Sequence, residues 1–517
     1  MSPHDPMDPP RPLSPSDPDS HPPPSEYTRL LPNRLDSTPY LSPDDPAVSP
    51  YNLFTVRLVR LLTVAFTCIT FLWWTLLLVA LFITPPGLHA RGSPFFALGY
   101  ATIAFLTLAT ELLFFAVPSR SARVLSFVSV GLLAVDAIVI LAVGRLRHEE
   151  LAVGVASVVW AVGMAGWVVA ADRTVLWGKR QEEERLTGRP ETRRTLLEWT
   201  EVLLSSLALG ALAVAVVLMT FTLVLRAFDA RLAPPGERFW VDDGKYQIHL
   251  YCHGNKTDEF GTKTTTVLIE GGEEPVERGL WQFAEDALKN GSISRYCFAD
   301  RPGYAWSDNA PSPLSASMAS DALRQTLSRA GEEGPWILAS AGIGSIYSRV
   351  FSSRNGKDVR GILMIDPLHE DFLSRVGAPS RGFLLWLQGA MSPLGIQRNF
   401  GAVLKRRSSA DRVWGRASYL SGKRIFAKLQ ESLVASLSKR EVESSKVIQR
   451  KDTPLVVISS GEQIRRDGEW EDKQRDLTHL TGNLEDWDVV EDAPHQVWES
   501  LKGREVIERR LKKLAKL

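Results

Sequence analysis

Five long apolar segments in the first half of the chain limit what it can fold into more than any other feature. Each holds roughly the 20 residues that an α-helix needs to cross about 30 Å of hydrocarbon. The segments are Val56–Thr84, Phe95–Val117, Val124–Val143, Leu151–Ala171 and Trp199–Leu225. They predict an all-α transmembrane domain of five helices over residues 51–226, whose partner is the lipid bilayer.

The two flanking segments have different compositions. Residues 1–50 are rich in Pro, Ser and Asp and contain few large apolar side chains, which is typical of a disordered tail. Residues 227–517 have the composition of a globular domain. The net charge of the whole chain is +1, and no basic patch with interleaved aromatic residues occurs, so we expect no nucleic-acid partner.

Charges beside the spans predict the orientation of the chain. The connection between the fourth and fifth spans, residues 173–198, is the most basic short one; it carries Arg173, Lys179, Arg180, Arg185, Arg189, Arg193 and Arg194. Basic residues near span ends favour the cytosolic side. Arg57 and Arg60 place the N-terminal tail on that side too. Five spans then place residues 227–517 on the luminal side.

Two features of the C-terminal half agree with a luminal location. Asn255 and Asn290 begin N-x-S/T sequences, which are glycosylated only in the lumen of the secretory pathway. This half contains two cysteines, Cys252 and Cys297. They form either a disulfide or two buried free thiols. The third cysteine of the chain lies in the first span.

A short motif in the tail bears on the compartment. In "EYTRLLP", Glu26 precedes Leu30 and Leu31, and the motif resembles the acidic dileucine signal that sorting adaptors bind on cytosolic tails. It predicts delivery to the vacuolar membrane and a sorting adaptor as a partner. Another endomembrane or a mitochondrial membrane is the alternative.

Two carboxyl groups lie within the spans, Glu111 in the second and Asp136 in the third. Ionisable groups at membrane depth are costly and often mark a polar pathway or a partner. The interpretation that we favour is a protonated or hydrogen-bonded carboxyl inside the bundle. No span is visibly broken, so the sequence does not indicate a transporter.

The C-terminal half alternates strands with helices. "RFWVDDGKYQIHLYCHG" alternates like a hairpin that turns at Asp243-Gly244. Further strand patterns are "TTTVLIEGG", "SRYCFAD", "PWILA", "VRGILMID", "TPLVVISS" and "DWDVVED". Strands that alternate with helices form a mostly parallel sheet with right-handed crossovers.

Several of these segments resemble the α/β-hydrolase superfamily over nearly all of residues 236–517. "ADRPGYAWSD" is similar to the DRxGxGxSD stretch after the fourth strand, "IEGGEE" to the oxyanion loop, and "APHQVWE" to the turn that carries the catalytic histidine. The resemblance implies an α/β fold with an eight-stranded, mostly parallel sheet and a helical cap over about 372–451. It also puts Cys252 and Cys297 on adjacent strands, which favours the disulfide.

The apolar stretch of the cap, "GFLLWLQGAMSPLGI", has three interpretations. It can shape a substrate pocket, rest on the membrane, or simply pack on the sheet. Simple packing is the one that we expect.

The resemblance also locates a catalytic site, and the sequence departs from the family there. A nucleophile elbow reads G-x-S-x-G, but this chain has "SAGIG", with Gly342 at the nucleophile position. Asp366 and His495 match the family's acid and base, with Glu462 and Asp467 as alternative acids. The amides of Gly272 and Ile343 match its oxyanion donors.

Glycine at the elbow removes the hydroxyl that forms an acyl-enzyme. Ser340 and Ser345 are the displaced candidates; the first lies at the end of the strand and the second in the following helix, so both should point away from the oxyanion amides. Turn and surface roles for Asp366 and His495 are the structural alternatives. The sequence indicates no metal site and no cofactor.

Three hypotheses of function follow. The first is a luminal pseudoenzyme with an α/β-hydrolase fold that binds a small apolar ligand or a protein partner. The second is an active hydrolase of ester or lipid-like substrates that uses His495 and Asp366 with water or a displaced serine. The third assigns the function to the membrane bundle, with a regulatory luminal domain.

Overall fold

The computed structural model describes residues 48–188 and 194–516. Within these ranges five helices are long and apolar enough to cross a membrane, as predicted. They are α1 (Phe54–Ala80), α2 (Pro94–Leu113), α3 (Arg120–Ala142), α4 (Gly144–Thr187) and α5 (Leu196–Asp229). The inward faces of α2 to α5 form one apolar core, and α1 packs against it through Phe66 and contributes to two smaller clusters. Many large apolar side chains lie exposed on the outside of the bundle.

The fourth helix differs from the predicted span at both ends. It has 44 residues and bends at Leu151, where φ is 52°. Beyond the apolar segment it continues to Thr187. Most of the basic connection that we expected to be a loop is therefore helical. Its Arg, Lys, Glu, Gln and Leu residues are all strong helix formers, which accounts for the extension.

The start of α1, the end of α4 and the start of α5 lie together at one end of the bundle. Asn52 Nδ2 donates to Glu182 Oε1 at 3.1 Å, and Lys179 Nζ donates to Glu198 Oε1 at 2.9 Å. The basic residues of α4 therefore lie at the same end as the start of the first span.

The α/β domain packs on the opposite end of the bundle. Asp308 is completely buried there. Its carboxylate binds Arg145 Nη2 at 2.8 Å and His148 Nε2 at 2.8 Å, both from the first turns of α4. Thr84 and Ser312 add two further hydrogen bonds of 2.9 Å across the interface.

The α/β domain is built on one sheet of eight strands. They are β1 (Glu237–Val241), β2 (Tyr246–Gly254), β3 (Thr266–Glu270), β4 (Arg295–Ala299), β5 (Trp336–Ala341), β6 (Val359–Ile365), β7 (Pro454–Ser460) and β8 (Asn483–Val490). Their order is β1-β2-β4-β3-β5-β6-β7-β8. Strand β2 is antiparallel to β1 and β4, and all other pairs are parallel. This is the α/β-hydrolase topology, and it confirms the predicted fold class.

In the described residues after the bundle there are twelve α-helices. They are α6 (Leu280–Lys289), α7 (Ala316–Arg329), α8 (Gly344–Arg354), α9 (Leu373–Val376), α10 (Pro379–Met391), α11 (Ile396–Leu404), α12 (Ser409–Val413), α13 (Gly422–Leu433), α14 (Ala435–Ile448), α15 (Gly461–Arg466), α16 (Gly468–Leu477) and α17 (Leu501–Lys516). Helices cover both faces of the sheet, so the inner strands are buried on both sides. In β5, for example, Ile337 packs into one core and Leu338 into the other.

The cap consists of α9 to α14, inserted between β6 and β7. We expected the apolar stretch of α10 to pack on the sheet, and this prediction is wrong. Its Leu385 and Trp386 pack in a cluster with Leu98 of α2 and Phe426 of α13, and Gly389 contacts the ring of Phe95. The apolar residues of this helix therefore contact the membrane bundle, which a strand-and-helix pattern does not reveal.

Helix α11 lies along the side of the bundle. Asn399 Nδ2 donates to Leu218 O at 3.3 Å and to Thr222 Oγ1 at 3.1 Å. Leu218 precedes the end of α5 by eleven residues, which is about 16 Å at the helical rise of 1.5 Å per residue. Part of the cap therefore lies beside the bundle, at a depth of about 16 Å from the end of α5 along the axis of that helix.

Cys252 of β2 and Cys297 of β4 are paired in the sheet register and form a disulfide, as the resemblance implied. The bond joins two antiparallel strands near the edge of the sheet. Cys68 is exposed on α1.

Replacing both Cys252 and Cys297 by Ser should lower the free energy of unfolding by about 2–4 kcal/mol, because the bond restricts the unfolded chain. The two residues are 45 positions apart. The melting temperature of the full chain measures the effect. Cys68→Ser is the control and should leave the melting temperature unchanged. If the double cysteine variant and the Cys68→Ser control had the same melting temperature, the disulfide would not be stabilising.

Candidate active site

The end of β5 has the geometry of a nucleophile elbow without the nucleophile. Gly342 follows the strand with a φ of +45°, a conformation that a side chain makes costly. Helix α8 begins two residues later. The end of β3 approaches the helix so closely that a Cβ on Gly344 would overlap the carbonyl oxygen of Gly271. Glycine at both positions therefore permits the sharp strand-to-helix turn.

Asp366 and His495 lie beside this elbow and contact each other. Asp366 comes directly after β6 and is completely buried, and its Oδ2 lies 2.6 Å from His495 Nδ1. The other carboxylate oxygen accepts from Ser460 N at 3.1 Å and from Trp470 Nε1 at 2.9 Å. The carboxylate is therefore fixed, and it orients the imidazole ring toward the elbow.

The alternative acids have other roles. Glu462 pairs with Arg466 at 2.7 Å. Asp467 caps α16 by accepting from Glu469 N at 3.1 Å, and it pairs with Arg375. Of the three acids considered in the sequence, Asp366 is the one that contacts His495.

A residue that the sequence analysis did not single out, Glu273, occupies the nucleophile position. Its Oε2 lies 3.0 Å from His495 Nε2, and its Oε1 accepts from Ile343 N at 3.2 Å. A Cβ on Gly342 would overlap Oε2 and lie 3.1 Å from the carboxyl carbon. The Glu273 carboxylate therefore binds both the base and one of the two expected oxyanion donors.

The loop that carries Glu273 leaves β3 beside the elbow. Gly272 is packed so close to β5 that a Cβ on it would lie 3.1 Å from Ala341 O. Its own carbonyl accepts from Arg301. Arg424 of α13 donates to the main-chain carbonyl of Glu273. These contacts fix the loop, so the Glu273 side chain turns back over Gly342.

The two charged partners stabilise each other's ionised forms. Burial lowers the pKa of His495, but hydrogen bonds with Asp366 and Glu273 outweigh it and raise the pKa to about 10. Burial raises the pKa of Glu273, but the hydrogen bond with His495 outweighs it and lowers the pKa to about 2. At neutral pH His495 is therefore an imidazolium and cannot accept a proton as a general base.

The displaced serines make other hydrogen bonds. Ser345 Oγ donates to Gly342 O at 2.8 Å, and Ser340 Oγ accepts from Ser348 Oγ at 2.9 Å. Both hydroxyls are completely buried. Neither is hydrogen-bonded to His495 in the described part of the chain, so they point away from the base.

Two yeast proteins are similar to this chain in sequence. An uncharacterised protein of Schizosaccharomyces pombe is 32% identical over 485 residues, which are 88% of this chain and 90% of the relative. The chain belongs to the family of this fission-yeast protein. An uncharacterised vacuolar membrane protein of Saccharomyces cerevisiae is 27% identical over 392 residues, 63% of this chain and 60% of that protein. A family model described as a region of unknown function (DUF2417) matches residues 26–252.

The solved structures that are similar to this chain include a carboxylesterase and a probable hydrolytic enzyme, both of low sequence identity to it. A carboxylesterase of a Nitrososphaera species has a TM-score of 0.38 and 14% identity, over 54% of this chain and 99% of that one. A probable hydrolytic enzyme of Pseudomonas aeruginosa has a TM-score of 0.41 and 16% identity, over 55% and 94%. At these identities the likeness concerns the fold alone, which the strand order establishes independently.

A completely buried histidine outside this site, His249, lies close to the carboxylates of Asp300 and Glu277. Its Nδ1 is 2.9 Å from Asp300 Oδ2, and its Nε2 contacts Pro235 O. Both ring nitrogens therefore already contact oxygen atoms of the protein. Burial and the nearby Asp300 raise the pKa of Glu277 well above its usual range. The cluster therefore joins β2 to the turn after β4.

Stability should depend on pH through the pair of Glu273 and His495. Because the pKa of His495 rises from 6.5 to about 10, its stabilising contribution is complete below pH 6.5 and is lost as the pH rises through 10. Because the pKa of Glu273 falls from 4.5 to about 2, its contribution is complete above pH 4.5 and is lost as the pH falls toward 2. Both contributions are complete between pH 4.5 and 6.5.

Glu273→Gln should lower the pKa of His495, because a neutral amide replaces one of the two carboxylates that hold the imidazolium. Diethylpyrocarbonate modifies only neutral imidazole, so His495 should react at lower pH in the variant, as peptide mass spectrometry would measure. Glu274→Gln is the matched control, since Glu274 bonds Tyr419 and Arg278 instead. An unchanged pH profile in Glu273→Gln would mean that Glu273 does not hold the proton on His495.

Proposed function

We propose that this chain is an integral protein of the vacuolar membrane whose luminal α/β-hydrolase-like domain is inactive as a serine hydrolase and binds a ligand or a partner. The observation that carries the proposal is the position of the Glu273 carboxylate, between His495 Nε2 and Ile343 N and over Gly342. A substrate carbonyl would need the space that this carboxylate fills.

Three parts of the acyl-transfer machinery are missing or occupied. Gly342 has no hydroxyl, so no acyl-enzyme forms by the usual route. His495 is protonated and hydrogen-bonded on both ring nitrogens. The amide of Ile343, an oxyanion donor in an active hydrolase, already donates to Glu273. The fold is therefore retained around a site that has lost its ordinary chemistry.

The two alternative functions have less support. Direct attack by water requires that Glu273 leave His495, and a displaced serine requires that Ser340 or Ser345 reach the base. A function within the bundle would use Asp136. That carboxylate accepts from Tyr100 Oη at 3.1 Å between α2 and α3, and such a pairing favours a role in helix packing.

Three observations support the compartment and the orientation. A budding-yeast relative is named a vacuolar membrane protein. The disulfide between Cys252 and Cys297 is typical of an oxidising compartment. Asn255 and Asn290 are exposed and accessible to glycosylation. The sorting motif at Glu26, Leu30 and Leu31 lies outside the described residues and stays a prediction, as does its adaptor.

The outer face of α10 and α11 supports the bilayer as a partner of the cap. It is level with the interior of the bundle and exposes eight large apolar side chains: Phe383, Leu384, Leu387, Met391, Ile396, Phe400, Val403 and Leu404. Apolar patches of this kind mark membrane or protein interaction sites. In the proposed arrangement these side chains face lipid.

Gly342→Ser should not create a serine hydrolase by itself, because the new Cβ would overlap the Glu273 carboxylate. Gly342→Ser combined with Glu273→Ala removes the overlap and frees both His495 Nε2 and the Ile343 amide. The double variant should therefore react with a fluorophosphonate probe. Gly342→Ser with Glu274→Ala is the matched control and should stay unlabelled.

Two outcomes of the labelling experiment would contradict the proposal. One is labelling of the unmodified chain that Ser340→Ala or Ser345→Ala abolishes. The other is labelling of Gly342→Ser alone at the level of the double variant, which would mean that Glu273 does not block the site.

The luminal orientation predicts that the chain carries N-linked glycans. Glycosidase treatment should increase its electrophoretic mobility, and Asn255→Gln with Asn290→Gln should abolish the shift. In sealed vesicles the domain after α5 should resist protease added from the cytosolic side. Cleavage of that domain in intact vesicles would overturn the orientation.

A further inference from the structure

A charged cavity lies where the bundle, the α/β domain and the cap meet. It has a volume of about 100 Å³ and is apart from the elbow. Six basic residues line it: Arg145, Arg226, Arg238, Arg398, Arg412 and Lys423. We call it the interdomain cavity. It has room for several waters or for one phosphate group.

Four of the six cations are paired with carboxylates. Arg398 and Arg412 share Asp229, at 2.5 and 2.6 Å. Arg226 pairs with Glu149 at 2.9 Å and with a second acid at 2.7 Å, Glu150.

Arg145 pairs with Glu149 at 3.1 Å and with Asp308 at 2.8 Å. Four carboxylates therefore pair with these four cations, and Asp229 and Glu149 are each shared by two of the cations.

The remaining two cations, Arg238 and Lys423, form no ion pair with any described residue. Arg238 Nε donates to Trp306 O at 3.1 Å, and Lys423 Nζ donates to Ala305 O at 2.8 Å. Six cations and four carboxylates leave two positive charges at the cavity. Arg238 and Lys423 are partly buried, and a charge that is partly removed from water without a counterion is costly, so the arrangement favours an anion.

Burial is the main cause that lowers the pKa of Lys423, to about 8. The nearby guanidinium groups of Arg145 and Arg238 act in the same direction. Glu149 and Asp308 act in the opposite direction but do not restore the usual value. A bound anion would raise this pKa.

Three buried donors at the cavity have no hydrogen-bond partner among the described residues. They are Ser93 Oγ, Trp306 Nε1 and Arg398 Nε, on residues that are 3%, 5% and 7% exposed. Indole and guanidinium nitrogens donate only. An acceptor oxygen would satisfy Trp306 Nε1 or Arg398 Nε, whereas a cation or an apolar ligand would satisfy neither of these two donors.

We propose that the interdomain cavity binds a phosphate group. A phosphate carries a charge of about −1.5 to −2 at neutral pH when it is a monoester, which matches the two unpaired cations. It also offers several acceptor oxygens, and guanidinium groups bind phosphate in a bidentate manner. The site is independent of Gly342 and His495, so it can exist whether or not the proposed loss of hydrolase activity is correct.

An adjoining groove favours a phospholipid as the source of the phosphate. The groove has a volume of about 440 Å³ and lies between the ends of α3 and α5. Ile138, Val139 and Phe228 are among the apolar residues that line it, and it shares Arg145 with the interdomain cavity. An acyl chain in the groove would place its headgroup at the cations, as basic pockets between membrane helices do with anionic lipids.

The test uses the full chain purified in detergent, with phosphatidic acid and inorganic phosphate as separate probes. Native mass spectrometry measures retained phosphatidic acid, with diacylglycerol as the uncharged lipid control. The melting temperature in rising phosphate, against chloride at equal ionic strength, measures binding of the free anion.

The variant Arg238→Gln with Lys423→Gln removes the two unpaired cations and leaves no carboxylate unpaired. It should weaken binding of phosphatidic acid at least about tenfold, because each lost contact is a charge-assisted hydrogen bond. Lys357→Gln with Lys405→Gln removes two exposed cations and should leave binding unchanged.

The outcomes separate the sources of the phosphate. If the chain retains phosphatidic acid and inorganic phosphate does not raise the melting temperature, the phosphate belongs to a lipid headgroup. If inorganic phosphate raises the melting temperature and phosphatidic acid is not retained, the ligand is a soluble phosphate. The proposal is overturned if the chain binds neither probe. It is also overturned if the variant Arg238→Gln with Lys423→Gln binds phosphatidic acid as tightly as the unmodified chain.

A second measurement needs no variant and covers the case in which the double variant does not fold. Reductive methylation of Lys423 in the unmodified chain, followed by peptide mass spectrometry, should slow when the bound probe is present. Methylation of the exposed Lys405 should not change. Equal methylation of Lys423 with and without both probes would also overturn the proposal.

Discussion

The buried carboxylate of Asp308 joins the two halves of the molecule. Arg145 and His148 of α4 bind its two oxygens, and Gln247 N of β2 donates to it at 3.0 Å. Burial raises the pKa of Asp308, but these two basic partners outweigh it and lower the pKa. Removing either partner would leave charge buried without compensation, which is costly. The sheet is therefore held on the end of the bundle, and the positions of the cap and of the interdomain cavity follow from that attachment.

The long spans and the sheet could be predicted because they depend on local patterns, whereas the elbow and the places of Asp366 and His495 were implied by the resemblance to the α/β-hydrolase superfamily. Apolar length predicts a span, and strands that alternate with helices predict a parallel sheet. The DRPGYAWSD and APHQVW segments carry enough residue types in fixed spacing to identify their places in the fold. Contacts made by one side chain across the site carry no such pattern.

Glu273 and Glu274 show why the site could not be predicted in full. They are neighbours of the same residue type, yet Glu273 turns over Gly342 to His495 while Glu274 bonds Tyr419 of the cap. The path of the loop decides between them, and Arg301 and Arg424 fix that path from distant parts of the chain. The same applies to α10, whose apolar residues indicated burial but not the bundle as the partner.

The carboxylate at the elbow changes what the site stabilises. A serine hydrolase binds negative charge most strongly in the transition state, when the oxyanion donors and the protonated histidine face a developing oxyanion. Here the Ile343 amide and the His495 imidazolium already bind the permanent charge of Glu273. The same donors therefore stabilise the Glu273 carboxylate in the ground state. Glycine at position 342 has the further effect of relieving the strain of a positive φ.

Helix α13 is the structural link between the elbow and the interdomain cavity. Its successive residues Lys423 and Arg424 contact different sites: Lys423 lines the cavity and donates to Ala305 O, whereas Arg424 donates to the main-chain carbonyl of Glu273. Asn309 of the α/β domain holds the same helix through Lys423 O at 3.0 Å. Because one rigid helix carries both contacts, a displacement of α13 at the membrane end would also move the loop that places Glu273 over the elbow. The cap therefore borders both the elbow and the interdomain cavity through α13. This role differs from covering a single substrate pocket.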